Sequence, residues 1–172
     1  GDWSSDVCSS DLTIGNLEPQ AAGDFLRRVR EVIGDDGGLL IGVDLHKSSE
    51  RLHAAYNDAS GVTARFNLNV LNRLNQLLDA EFEEAAFSHQ AFYNADEQRI
   101  EMHLISDSEQ SVRCNGSSID FASGESIHTE NSYKYTVEGF AELAAASGLS
   151  LEQSWFDEDR LFSVHYLSAG QT

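Results

Sequence analysis

The stretch GESIHTENSYKY, residues 124–135, sets a carboxylate and a hydroxyl two positions apart, Glu130 and Ser132. In an extended strand those two side chains share one face, while Asn131 faces away. A carboxylate accepting an imidazole N–H, beside a hydroxyl bonded to the other ring nitrogen, can grip a neutral imidazole at both ends. An exposed polar edge strand accounts for the same residues without a ligand, because charged side chains are mostly solvated. In AYNDASGVTARFN, residues 55–67, Tyr56 stands ten residues before Phe66 across an Asn-Asp-Ala-Ser-Gly turn. A phenol hydroxyl can donate to a ligand carboxylate and Phe66 can wall the same pocket, or both aromatics pack in the core, Phe66 with its apolar stripe. Asn16 closes TIGN, where a chain leaves a parallel strand for a helix, the edge at which open α/β sheets bind ligands. On the sequence alone a turn or helix-cap role is the first reading of Asn16. In RIEMHLIS, residues 99–106, Met102 shares a face with Ile100 and Leu104, and core packing explains it fully.

These residues need elements to hold them. Residues 18–33 read as a helix, with Pro19 in the first turn and Phe25, Leu26, Val29, Val32 and Ile33 at helical spacing. LLIGVDL, residues 39–45, is a nearly continuous apolar run, the pattern of a strand buried on both faces. A helix feeding such a strand is half of a βαβ unit, and no strand is expected before Thr13 to complete it. Val62–Leu78 reads as an amphipathic helix with one stripe of Val62, Phe66, Val70, Leu71, Leu74, Leu77 and Leu78. Short alternating runs follow, at 100–104, 112–114 and 118–123, as antiparallel strands with one solvated face that includes Glu101 and His103. Val137–Ala146 is a short helix, and residues 151–156 and 161–167 form a closing hairpin at the edge of a mostly parallel sheet.

Composition excludes several classes. With 29 acidic against 11 basic side chains and a formal net charge of -18, the chain repels a phosphate backbone or an anionic membrane surface, so no nucleic acid and no membrane partner is expected. No apolar run approaches the roughly 20 residues of a membrane span, and no secretory layout opens the chain, so the expected location is cytoplasmic. Two cysteines, Cys8 and Cys114, make neither a disulfide framework nor a four-sulfur site. The six histidines show no H-E-x-x-H or C-x-x-C spacing, which gives a zinc site little support, and no P-loop, G-x-G-x-x-G or G-x-S-x-G motif is present.

Taken in order, TIGN, LLIGVDLHK, AYNDASGVTARFNLNVLNRLN, RIEMHL, GESIHTENSYKY and the tail WFDEDRLFSVHYL resemble the histidine-specific Nα-methyltransferase family of ergothioneine biosynthesis. The resemblance runs from about Thr13 to the end of the chain. It implies an α/β fold, the C-terminal part of a Rossmann-like S-adenosylmethionine-dependent methyltransferase with an inserted α+β substrate domain. The methyltransferase domain would then hold residues 13–47 and 134–172, and the substrate domain residues 48–133. The activity implied is methylation of the α-amino group of L-histidine by S-adenosylmethionine to give hercynine, by a monomer that needs no metal. Carried over residue by residue, Asn16 lies near the substrate amine and carboxylate and orients the amine as the catalytic residue. Tyr56 then holds the carboxylate, Glu130 and Ser132 take the imidazole, and Phe66 and Met102 line the pocket. A free α-amino group has a pKa of about 8, so positioning rather than deprotonation carries most of the catalytic effect. A methyltransferase for another amino acid or amine, and a non-catalytic small-molecule binding domain of the same fold, are the alternatives.

The family's glycine-rich cofactor loop, its ribose-binding acidic residue and a further tyrosine of the histidine pocket belong before Thr13, so no cofactor-binding residue is expected in this chain. In their place stands GDWSSDVCSSDL, which back-translates to a common sequencing-library adapter read in frame. Residues 1–12 are therefore expected to be an artefactual leader outside the fold, and the chain a truncated fragment inactive by itself.

Overall fold

The computed structural model describes residues 7–10 and 13–170. In chain order the elements are β1 (Val7–Ser10), a 3₁₀ turn (Thr13–Asn16), α1 (Pro19–Ile33), β2 (Gly38–Asp44), α2 (Ser49–Tyr56) and α3 (Val62–Leu78). After a second 3₁₀ turn (Glu84–Ala86) come β3 (Phe87–Asn94), β4 (Arg99–Ser106), β5 (Gln110–Cys114), β6 (Ser117–Phe121), β7 (Ser126–Tyr133), α4 (Val137–Ala146), β8 (Leu149–Phe156) and β9 (Phe162–Ala169). The chain divides into two compact units, residues 1–47, 96–99 and 131–172, and residues 48–95 with 100–130.

The first unit is built on a four-stranded sheet of order β1-β2-β9-β8. Alternation along β2 sends Leu39, Ile41 and Val43, all fully buried, into a core with Leu26, Val29 and Ile33 of α1 and Phe140 and Ala144 of α4. On the other face Gly42 lies under the Phe162 ring, where a Cβ would stand 2.6 Å from a ring carbon, so a side chain there would force the ring to move. Helix α1 follows the expected span, but Val32 is 73% exposed and the buried stripe runs through Ala22, Gly23, Leu26, Val29 and Ile33 instead.

Two expectations about this sheet are corrected. Strand β1 pairs in parallel with β2, from Val7 opposite Gly38 to Ser10 opposite Ile41, so α1 is the crossover of a complete βαβ unit. The physical reason is that ladder pairing uses backbone N–H and C=O groups, and the bare edge of β2 accepts any extended segment. Residues 1–6 and 11–12 lie outside the described residues. Among the described strands the sheet holds one parallel pair and two antiparallel ones rather than mostly parallel pairing, while the hairpin of β8 and β9 lies at its edge as expected, β9 inside and β8 outermost.

The second unit packs α2 and α3 on a three-stranded sheet, β3-β4-β7, with β5 and β6 as a separate hairpin. Helix α2 and strand β3 carry no strong periodicity and are not expected from the sequence. Asn57 ties them together by accepting from Ala91 N at 3.1 Å and donating to Ala91 O at 2.9 Å, as a strand residue would. Helix α3 starts at Val62 because Asp58 takes its first amides, Val62 N at 2.9 Å and Thr63 N at 2.8 Å, which holds the Asp58 carboxyl well below its usual pKa. The single stripe expected on α3 is corrected: Asn67 and Leu71 are buried, with Leu68 and Leu74 packed beside them, while Val62, Phe66 and Leu77 are exposed. Among the described residues no helix is long and apolar enough to cross a membrane.

Candidate functional site

In the first unit the polar groups gather at the carboxyl end of β2, where the run LLIGV gives way to Asp44. The segment after β7 joins that end: Tyr135 N donates to Asp44 O at 3.1 Å and His46 N to Tyr135 O at 3.0 Å. This pairing carries Lys134 inside, with no exposed side-chain area, and its ammonium meets Asp44 Oδ2 at 2.8 Å. Asp44 Oδ1 takes Lys47 at 2.6 Å, so one carboxylate bridges two ammonium groups. Lys134 Nζ also donates to Ser132 Oγ at 2.7 Å. An ammonium has no lone pair, so Ser132 must accept from it, and the hydroxyl proton points elsewhere.

Asn131 and Tyr133 turn the opposite way from Ser132 and Lys134. Asn131 Nδ2 donates to Glu18 Oε1 at 2.8 Å and the Tyr133 hydroxyl to Glu18 Oε2 at 2.6 Å. Arg99 Nη1 donates to the Tyr133 oxygen at 2.6 Å. Burial first, then the bond to Glu18, raises the Tyr133 pKa, so the phenol stays protonated and keeps donating. The turn carrying Asn16 lies against this end of β7: Ile14 anchors it at 1% exposure, and a Cβ on Gly15 would stand 3.2 Å from Tyr133 O and 3.8 Å from Ser132 Oγ. Asn16 itself is exposed, beside the residues that precede Lys134. A groove of about 350 Å³ opens nearby, lined among others by Pro19, Gln98, Tyr133, Lys134 and Thr136 and by none of the six site residues expected from the sequence.

In the second unit Tyr56 ends α2 and packs, half-buried, on the cluster of Leu52, Ala91, Ile100 and Met102. Met102 is 4% exposed, and packing in that cluster accounts for it. The structure thus brings Tyr56 and Met102 together and leaves Phe66, at 64% exposure, on the outer face of α3. The core reading of Phe66 is corrected: α3 has two apolar faces, and Leu71 and its neighbours occupy the inner one. Glu130 is half-buried near the end of β7.

Sequence reasoning passed over Asp44, Lys47, Lys134, Glu18 and Arg99. The i,i+3 spacing of Asp44 and Lys47 and the i,i+2 spacing of Ser132 and Lys134 are visible in the sequence, but lysine is rarely buried, and nothing local reveals that this one is.

A doubly wound sheet holds a nucleotide-type cofactor on a glycine-rich turn after its first strand, with an acidic side chain on the ribose. The described residues do not fit that requirement by themselves. Gly15, in the connection after β1, faces the Tyr133 carbonyl, and both oxygens of Asp44 are taken by lysines.

A sequence profile of the histidine-specific, SAM-dependent methyltransferases matches residues 7–169. The histidine N-alpha-methyltransferase of Mycolicibacterium smegmatis is 43% identical over 147 residues, covering 84% of this chain and 46% of that protein. The enzyme of the same name from Mycobacterium tuberculosis is 43% identical over 148 residues, covering 85% of this chain and 46% of that protein. The chain therefore spans about half the length of the curated relatives it matches. Among solved structures, a methyltransferase from Streptomyces caelestis superimposes with a TM-score of 0.51 at 14% identity, over 98% of this chain and 64% of that one. That likeness shows the fold, a Rossmann-like methyltransferase.

Proposed function

Because the chain belongs to the histidine-specific, S-adenosylmethionine-dependent methyltransferase family, we propose that the whole protein methylates the α-amino group of L-histidine to give hercynine. The observation that carries this reading is the family match over residues 7–169. In it, residues 13–47 and 134–172 belong to the methyltransferase domain and 48–133 to the substrate domain, of a monomeric cytoplasmic enzyme. Bound S-adenosylmethionine supplies the methyl group, and the residues of this chain bind and orient the other substrate. Glu130 accepts the imidazole N–H, and Ser132 donates to the remaining ring nitrogen. The Lys134 ammonium on Ser132 Oγ supports that assignment, since it leaves the hydroxyl proton to point away from Lys134. Tyr56 donates to the carboxylate, Asn16 orients the amine, and Met102 and Phe66 give the pocket its apolar wall.

The test is calorimetric titration of the whole protein with L-histidine and, separately, with S-adenosylmethionine. Glu130→Ala is expected to weaken histidine binding by about tenfold or more, the loss of one charged hydrogen bond, and to leave cofactor affinity within about twofold. Unchanged histidine affinity would point instead to a methyltransferase for another amino acid or amine.

A further inference from the structure

We propose that Glu101, His103 and His128 form a binding site for a zinc-class divalent ion. Their donor atoms all lie within 4.8 Å of one another, and no sequence motif joins them, because Glu101 and His103 alternate on β4 while His128 comes from β7. The alternation of β4 leads to the expectation that Glu101 and His103 are solvated, yet their side chains are only 9% and 13% exposed.

Each group is already held in place. Glu101 Oε1 accepts from Asn94 Nδ2 at 3.0 Å, and its Oε2 lies 3.2 Å from His103 Nε2. The His103 ring stacks on Phe92 on one side, centroids 5.2 Å apart, and on His128 on the other, at 4.5 Å and 13° between planes. Two donors on a tetrahedral zinc with bonds of about 2.0–2.1 Å stand about 3.4 Å apart, so the Glu101–His103 pair already has the spacing of two ligands. His128, the exposed member, brings its donor atom within 4.8 Å of theirs from the neighbouring strand. One carboxylate and two imidazoles suit zinc and its transition-metal neighbours rather than magnesium or calcium, which prefer all-oxygen shells. Asn94 orients the carboxylate from behind, as outer hydrogen bonds do around metal ligands. A three-ligand set leaves the remaining coordination of a tetrahedral ion to water. An ion here would take the place of the Glu101–His103 hydrogen bond and tie β4 to β7 two residues upstream of Glu130.

The test is calorimetric titration of the chelator-treated 172-residue chain with zinc chloride, paired with thermal unfolding with and without the metal. The expected result is saturable one-to-one binding with a Kd of about 10 μM or tighter and a rise in Tm on adding zinc. His128→Ala, at an exposed position, and Glu101→Gln, of the same shape, should each weaken binding at least about tenfold and remove the Tm rise. His53→Ala, on α2, should leave both unchanged. Absence of saturable binding up to about 100 μM zinc, or binding that survives both site variants, would overturn the proposal.

Discussion

At the scale of single residues, the buried polar groups decide more than the exposed ones. His165 is fully buried, with Nδ1 2.8 Å from Ser154 Oγ and Nε2 2.8 Å from Ser163 Oγ. Ser163 spends its proton on Val43 O at 3.2 Å, so His165 Nε2 must donate to Ser163, and Nδ1 accepts from Ser154. Burial lowers the His165 pKa below the ordinary 6.5, so the folded chain keeps the ring neutral where the unfolded chain already takes a proton. The unfolded state binds more protons between the folded pKa and 6.5, so this stability is present above that window and lost as pH falls through it. His165→Gln keeps a polar group between the serines but does not titrate. The variant is expected to be less stable than wild type at pH 8, with the gap narrowing toward pH 5. Urea midpoints at the two pH values check this, and a gap that holds or widens in acid contradicts it.

At the scale of elements, α3 shows how a polar residue selects the face a helix buries. Its outer apolar residues, Val62, Phe66 and Leu77, are as hydrophobic as the inner ones. The inner face also carries Asn67, 1% exposed, whose amide donates to His89 Nδ1 at 3.0 Å and to His103 O at 3.1 Å and accepts from Thr129 Oγ1 at 2.6 Å. All three bonds reach residues more than 20 positions away, which ties α3 to strands β3, β4 and β7. The outer apolar face has no such polar anchor, and rotating α3 to bury it would orphan those partners. Asn67→Leu fills the same space without the bonds and is expected to cost about 1–3 kcal/mol, with faster amide exchange in α3. Equal denaturation midpoints for the variant and wild type would contradict this account. The hydrophobic pattern locates α3 within its observed bounds, Val62–Leu78, but periodicity ranks positions by apolarity alone and so merges two faces into one stripe.

At the scale of the whole molecule, the match to about half the length of two curated relatives and the surroundings of Gly15 and Asp44 bear on the same question. The described residues fold as a Rossmann-like methyltransferase, yet Gly15 packs closely against the Tyr133 carbonyl and Asp44 is bound by two lysines. The 172-residue chain by itself is therefore expected to give no saturable binding of S-adenosylmethionine up to about 1 mM, a concentration that would reveal even a weak site. Saturable binding in the micromolar range would mean that the described residues build a cofactor site after all.

The sequence by itself determined the family, through short stretches in a fixed order, and the positions of α1, β2, α3, α4 and the closing hairpin, through apolar spacing. Both are local properties: a helix or strand is written in residues at most a few positions apart, and so is a motif. Only the tertiary structure decided that Lys134 is buried against Asp44, that α3 turns Asn67 inward, and that Glu101 and His103 meet His128. Those contacts depend on which strands pair and in which register, and a pairing between residues 25 or 90 positions apart leaves no periodic trace in either partner.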